Sequence, residues 1–164
     1  MKELTHFSDT GRARMVDVSE KPGTRRVATA SGILRMQPET LARIRNGSIA
    51  KGDVLTVADV GGVMAAKRTA DIIPMCHTLA LSGVEVRFSD IAEPDAGGCV
   101  GIKVVTEAGC VGQTGVEMEA LCAAGVALLT IYDMCKAIDR GMRIENIQLE
   151  EKRGGKSGTW KREG

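Results

Sequence analysis

A long segment without any charged residue constrains the fold of this sequence more than any other feature. Residues 120–132 read ALCAAGVALLTIY and carry no charge on any face of a helix. Thr114 and Glu117 have the spacing of a capping box before the segment, and Gly141 is a stop signal behind it. We therefore predict a helix that begins in this box, runs to Arg140 and is about 39 Å long. A helix that is apolar on all sides must be buried on all sides, which a single two-layer domain of 164 residues achieves poorly, so an oligomer is expected to cover its second face.

Shorter patterns predict the remaining elements. A stretch rich in β-branched residues predicts a strand over 26–36, and Pro38 opens a short amphipathic helix that Gly47 stops. Asp53 is the expected N-cap of a second helix, which Pro74 ends. Alternating residues predict antiparallel strands over 84–88 and 99–107, joined by a turn at 95–98, and a last strand over 144–151. This order predicts an α+β fold, a ferredoxin-like antiparallel sheet with helices packed on one face and one extra helix.

The chain is expected to form one domain with two less regular ends. Residues 1–24 are polar and predict an extended N-terminal arm, residues 25–153 form the single ferredoxin-like domain, and residues 154–164 form a flexible C-terminal tail. Inside the second helix, Gly61 and Gly62 cost about 1–2 kcal/mol relative to alanines. Close packing of another backbone explains this pair at least as well as a functional bend does.

Composition and charge argue against a nucleic-acid partner. The chain has one Trp, one Tyr and two Phe, too few for a platform on which bases stack. Its 22 basic and 21 acidic residues give a net charge of +1, whereas proteins that follow a phosphate backbone usually carry a basic stripe. A few converging lysines are still enough to bind a small anion.

The cysteines and the apolar runs predict a cytoplasmic protein. The five cysteines are odd in number and form no C-x-x-C pair, so neither a disulfide framework nor a four-thiolate zinc site is expected. The N-terminal residues lack the apolar stretch of a signal peptide, and no run approaches the roughly 20 apolar residues of a membrane helix.

Two clusters of polar residues are candidate sites. Asp133 and Lys136 are three residues apart on one face of the long helix, which suits proton transfer but also describes an ordinary surface ion pair. Cys76 and His77 follow Pro74 in a loop, where they either contact a ligand or serve the structure; a metal site or a Cys–His nucleophile is poorly supported there.

Basic residues near helix ends are candidate anion ligands. Lys51 precedes a helix N-terminus, where free amides, the helix dipole and an ammonium group together suit phosphate. Singly, each of the other basic residues is more often a solvated charge: Lys67, Arg68, Lys152, Arg153 and Lys156. Residues 154–158, GGKSG, lack the spacing and the following helix of a Walker motif.

The long helix separates two sets of acidic residues. Glu117 and Glu119 lie at its start, and sixteen residues divide Glu117 from Asp133, which is about 24 Å along a helix. One chain therefore cannot bring both ends of this helix to the same small ligand. If both residues contact the substrate, the pocket must be shared between chains.

Seven motifs in order closely resemble the MoaC family of molybdenum cofactor biosynthesis proteins, the cyclic pyranopterin monophosphate synthases. They are MVDV (15–18), KGD (51–53), AAKRT (65–69), IPMCH (73–77), TGVEMEAL (114–121), YDMCK (132–136) and GGKSG (154–158). The resemblance implies conversion of (8S)-3',8-cyclo-7,8-dihydroguanosine 5'-triphosphate to cyclic pyranopterin monophosphate with release of diphosphate. It also implies a homohexamer, a trimer of dimers, with active sites at subunit interfaces.

The resemblance also implies roles for individual residues. It assigns catalysis to Asp133, Lys136 and Lys51, with Asp133 as a general acid/base. It assigns substrate binding to Met75, Cys76, His77, Glu117, Met118, Lys67, Asp17 and Lys156. Lys51, Lys67 and neighbouring basic residues are expected to hold the triphosphate while Asp133 and Lys136 move protons. No cofactor is expected to be required, and Mg²⁺ bound with the triphosphate is an open alternative.

The sequence departs from the family pattern at a few positions, and other functions are conceivable. Thr78 replaces a usual proline in the loop after His77, while Cys122 and Gly125 are less usual in the central helix.

Two other functions are alternatives to catalysis. A regulatory module with the same fold would bind a nucleotide or an amino acid without chemistry. An RNA-binding sheet needs exposed strand aromatics, and only Phe88 lies in a predicted strand.

Overall fold

Within residues 15–163, nine elements form a five-stranded antiparallel sheet with helices on one face. A computed structural model describes residues 15–163. The elements in chain order are β1 (Thr24–Met36), α1 (Pro38–Arg45), α2 (Val54–Lys67), α3 (Thr69–Ile72), β2 (Leu81–Ile91), β3 (Val100–Gly112), α4 (Glu117–Cys135), β4 (Arg143–Arg153) and β5 (Trp160–Lys161). The strand order is β2-β3-β1-β4-β5, and every neighbouring pair is antiparallel. The predicted α+β, ferredoxin-like fold is confirmed.

Strands β1 and β3 form the centre of the sheet because their side chains alternate between two environments. On the helix face, Leu34 pairs with Ile102 and Ala30 pairs with Thr106, and all four side chains are fully buried. The opposite face presents polar residues such as Lys103. The hydrophobic core therefore lies on one side of the sheet, beneath α2 and α4.

Helix α4 is shorter than the sequence predicted. It begins at Glu117, with Val116 as an N-cap that makes no side-chain hydrogen bond, so the predicted capping box is wrong. It ends at Cys135 because the chain turns and buries the Asp139 carboxylate, which accepts hydrogen bonds from Gln37 N at 2.9 Å and Thr40 Oγ1 at 3.1 Å. The helix therefore spans 19 residues and about 28 Å.

Burial against the sheet explains why α4 is so apolar. By length and composition alone this helix could cross a membrane, but half of its most apolar stretch is buried inside the domain. The core helix of a folded domain has the same composition. Leu129 is an exception, because 56% of its surface is exposed.

The predicted second helix is divided in two. Asp53 caps α2 as expected, since its Oδ1 accepts hydrogen bonds from Leu55 N and Thr56 N, both at 3.1 Å. The helix then breaks at Arg68, where φ is −114° and ψ is 15°, and continues as the single turn of α3. Close packing accounts for Gly62, because a Cβ built there would lie 3.1 Å from the backbone oxygen of Ala123 on α4.

The predicted N-terminal arm and C-terminal tail can be compared with the structure only where its residues are described. Of the N-terminal arm predicted over 1–24, residues 1–14 lie outside the described residues, and β1 begins at Thr24. The tail predicted over 154–164 contains a strand that the sequence pattern does not show, because β5 pairs with β4. Left-handed glycines at 154, 155 and 158 turn the chain back between these strands.

Candidate active site

Three charged side chains meet at the C-terminal end of α4. Lys136 Nζ lies 2.7 Å from Asp133 Oδ1, and Lys51 Nζ lies 3.0 Å from Asp133 Oδ2. Lys51 also donates a hydrogen bond to the backbone oxygen of Asp133 at 2.9 Å. We call these residues the aspartate–lysine cluster; they are the ones to which the family resemblance assigned catalysis.

Local structure brings Lys51 to this cluster. Lys51 lies in the turn before α2, where Gly52 has a φ of +99° that favours glycine and Asp53 then caps the helix. Asp133 belongs to the last turn of α4, and Lys136 is its C-cap. The side chains of both lysines thus meet at the C-terminal end of α4, where the dipole of that helix favours cations.

The two lysines hold Asp133 in its ionised form. Hydrogen bonds from Lys136 and then Lys51 lower the pKa of Asp133 from 3.8 to about 2. The same contact with Asp133 raises the pKa of Lys136. At neutral pH the isolated cluster is therefore a carboxylate between two ammonium groups, a resting state in which proton transfer requires a change of surroundings.

A cavity of about 410 Å³ lies at the opposite end of α4, between the chain near Val16, the loop after Pro74 and the start of the helix. We call it the His77 cavity. Its lining includes the predicted substrate-binding residues Met75, Cys76, His77, Glu117 and Met118. The structure therefore brings these residues together.

His77 forms a hydrogen bond that holds the chain near Val16 against this cavity. Its Nε2 lies 2.8 Å from the backbone oxygen of Val16. The neighbouring Asp17 accepts hydrogen bonds from Ser19 N at 2.9 Å and Ser19 Oγ at 2.6 Å. These bonds, and to a smaller extent the charge of His77, lower the pKa of Asp17. Asp17 thus lies near His77, although it is not part of the cavity lining.

Glu119 is a cavity residue to which the sequence-based assignment gave no role. It lines the His77 cavity with only 4% of its surface exposed. Burial raises its pKa, and the charge of Glu117 raises it further. A carboxyl group in such surroundings retains a proton more readily than an exposed one and can then donate a hydrogen bond. The signal available in the sequence was a second acidic residue just before the uncharged segment.

A larger cavity of about 790 Å³ adjoins the first, and the two share Lys21, Thr114 and Gly115. We call it the basic cavity, because its described lining includes Lys21, Arg26 and Lys156 but no carboxylate. Arg26 is fixed there, donating hydrogen bonds to the backbone oxygens of Gly112 at 2.8 Å and Gln113 at 3.0 Å. The sequence-based assignment found Lys156 and missed Lys21 and Arg26, which lie in none of the family motifs.

One chain does not unite all of the predicted site residues. Glu117 and Asp133 lie at opposite ends of α4, about 24 Å apart along the helix. Lys67 is the exposed last residue of α2 and lines neither cavity. The chain therefore carries two partial sites, the aspartate–lysine cluster at one end of α4 and the two adjoining cavities at the other. Within residues 15–163, no group of three or more His, Cys, Asp or Glu side chains is arranged to hold a metal ion.

Comparison with known proteins identifies the family. A model of the MoaC family matches residues 15–155. A cyclic pyranopterin monophosphate synthase from Thermomicrobium roseum is 58% identical over 99% of this chain and 95% of its own length. The protein of the same name from Desulfitobacterium hafniense is 61% identical over 98% of this chain and 95% of its own length. The one from Novosphingobium aromaticivorans is 56% identical over 98% of each chain. The chain belongs to the MoaC family.

Proposed function

We propose that this chain is a cyclic pyranopterin monophosphate synthase of molybdenum cofactor biosynthesis. It converts (8S)-3',8-cyclo-7,8-dihydroguanosine 5'-triphosphate to cyclic pyranopterin monophosphate and releases diphosphate. The name of its relatives supports this activity. The structural observation that carries it is the pair of adjoining cavities, one lined by cations and the other by hydrogen-bonding groups, which suits a nucleotide with a triphosphate.

The triphosphate is assigned to the basic cavity. Lys21, Arg26 and Lys156 supply positive charge there, and the described lining has no carboxylate to repel the phosphates. Cations held in place before the reaction stabilise the charge that develops as diphosphate leaves. Lys51, which the sequence suggested as a phosphate ligand, is tied to Asp133 and is assigned to proton transfer instead.

The ring system derived from guanine is assigned to the His77 cavity. Guanine-derived rings present both hydrogen-bond donors and acceptors, and His77, Glu117 and Glu119 offer matching groups. Met75 and Met118 supply polarisable apolar surface that adapts to a ring whose shape changes during the reaction.

Proton transfer is assigned to the aspartate–lysine cluster. The pKa of Asp133, about 2, keeps this group from acting as an acid while both lysines face it. An anionic substrate that draws one lysine away would raise the pKa of Asp133, because that carboxylate would lose one of its two cationic partners. The cluster would then exchange protons with the ring during its rearrangement.

A complete site is proposed to form between two chains of a homohexamer built as a trimer of dimers. The distance along α4 supports sharing, since one chain holds the cluster and the cavities apart. The exposed apolar residues Val57, Val60 and Met64 follow one side of α2, and Leu129 is exposed on α4. Contact between copies would bury this surface. Light scattering at several protein concentrations measures the number of chains.

Two substitutions in the cluster test the function. Asp133→Asn and Lys136→Ala are expected to leave the fold intact and to lower diphosphate release by about 10²-fold or more, the loss typical of acid–base catalysis. Asp59→Asn, at an exposed position on α2, is the matched control with turnover close to that of the wild type. Near-normal product formation by either cluster variant would refute the assigned role. Binding of the triphosphate by the wild type without diphosphate release would instead favour a regulatory module.

We further propose that turnover requires no resident cofactor and takes place in the cytoplasm. All five cysteines are free thiols, which suits a reducing compartment. Dialysis against EDTA is expected to leave diphosphate release unchanged. Loss of turnover that Mg²⁺ restores would indicate that the ion accompanies the triphosphate.

A further inference from the structure

Gly115 lies where the two cavities meet. It lines both the His77 cavity and the basic cavity, two residues before α4 begins at Glu117. The Glu117 side chain folds back over it. A Cβ built on Gly115 would lie 2.6 Å from Glu117 Cδ and would overlap Glu117 Oε2. The carboxylate therefore occupies the space that any other residue at 115 would need for its own side chain.

The conflict at this position involves a side chain and not the backbone. The three nearest atoms to the built Cβ all belong to the carboxylate of Glu117, which is the end of a flexible side chain. Gly115 is also outside the left-handed backbone region, so alanine can adopt its φ without strain. Alanine at 115 would thus displace the Glu117 carboxylate while leaving the local fold in place.

The position of this carboxylate affects its neighbours in the His77 cavity. Glu117 lines that cavity together with His77 and Glu119. Its charge contributes to the raised pKa of Glu119, which is buried two residues further along α4. A displaced carboxylate would change both the shape of the cavity and the field at Glu119.

We propose that Gly115 is a positioning residue whose missing side chain sets the Glu117 carboxylate at the boundary between the two cavities. The inference rests on the proposed function, because it gives Glu117 a place beside the bound nucleotide. Displacement by an ångström or more within such a site costs about 10²-fold in rate.

A double-mutant cycle separates positioning from a structural role. Gly115→Ala is expected to lower kcat/KM by about 10²-fold in the wild-type background, the cost of a misplaced group. In the Glu117→Ala background there is no carboxylate to displace, so adding Gly115→Ala is expected to cause no further loss. The matched control is Gly83→Ala on β2, where a built Cβ meets no atom of residues 15–163 within 4 Å and turnover should match the wild type.

Crystal structures of the wild type and Gly115→Ala give a second test that does not depend on activity. The Glu117 carboxylate is expected to leave its place over residue 115 while the backbone of α4 stays unchanged. The proposal is overturned if the carboxylate stays in place, if Gly115→Ala retains wild-type turnover, or if its cost is equal with and without Glu117. Absence of diphosphate release by the wild type would refute the proposed function, and the crystal structures would still decide the geometric claim.

Discussion

The surroundings of two carboxyl groups on α4 shift their pKa values in opposite directions. Asp133 is exposed between two lysines, which lower its pKa to about 2. Glu119 is buried beside Glu117, and its pKa is raised. Sites that move protons often hold pairs of groups whose pKa values have been separated in this way. The two residues therefore make opposite contributions to the pH dependence of stability.

The contribution of Asp133 to the stability of the folded protein is expected to disappear in acid. Because the folded protein lowers its pKa below 3.8, the stability that the aspartate–lysine cluster provides is present above pH 3.8 and is lost as the pH falls through about 2. Thermal unfolding of the wild type and of Asp133→Asn between neutral pH and pH 2 measures this. The wild type is expected to be the more stable above pH 3.8, with the difference narrowing below it. A difference that stays constant over this range would contradict the ion-pair geometry.

Glu119 contributes to the pH dependence of stability with the opposite sign. Burial makes the folded protein hold this proton more tightly than the unfolded chain does, so the carboxyl group costs stability as the pH rises above its ordinary pKa of 4.5. Glu119→Gln removes that cost and is expected to raise the unfolding temperature at neutral pH while lowering turnover. The gain should shrink as the pH falls to 4.5. Equal unfolding temperatures at neutral pH would show that Glu119 carries no such penalty.

At the residue scale, the family motifs identified more of the candidate site than the periodicity and spacing of residues did. His77 and Glu117 lie in motifs of the family and line one cavity in the structure. Arg26 has no such marker, since an arginine in a strand acquires its role only when β1 sets it beside residues 112 and 113. Contacts between residues so far apart in the chain cannot be derived from spacing.

The packing of α2 against α4 depends on small residues. Gly62 faces the Ala123 backbone oxygen and the Val86 side chain, each 3.1 Å from a built Cβ. Gly62→Val is expected to lower the free energy of unfolding by about 1–3 kcal/mol, the usual cost of overpacking a core. Urea unfolding measures this loss. Gly83→Val is the control. Its built Cβ meets no atom of the described part of the chain within 4 Å and valine suits a strand, so its stability should stay near that of the wild type.

Periodicity predicted which elements exist better than where they end. Strands β1 to β4 and helix α2 were expected because alternation and the Asp53 cap are local signals. The end of α4 was missed because Asp139 turns away to hold the start of α1, which lies about a hundred residues earlier in the chain. β5 was missed because only two residues pair with β4, too few to form a pattern.

For the whole molecule, the length of α4 decides how a site can be assembled. The helix holds the aspartate–lysine cluster at one end and the His77 cavity at the other, about 24 Å apart. A rigid helix in the core cannot bend to bring them together. A second copy can place its own cluster against the cavities of the first, and the exposed apolar residues of α2 provide surface for such contact.

Mixed oligomers provide the decisive test of a shared site. Asp133→Asn damages one end of α4 and Glu117→Ala the other, so each variant alone is expected to be nearly inactive. If sites form between chains, co-expressing the two in equal amounts leaves both halves intact in about a quarter of randomly assembled sites, and diphosphate release should recover toward that fraction. Co-expression of Asp133→Asn with Lys136→Ala is the control without recovery, since both damage the same half. If the first pair also shows no recovery although the chains assemble together, each site must lie within one chain.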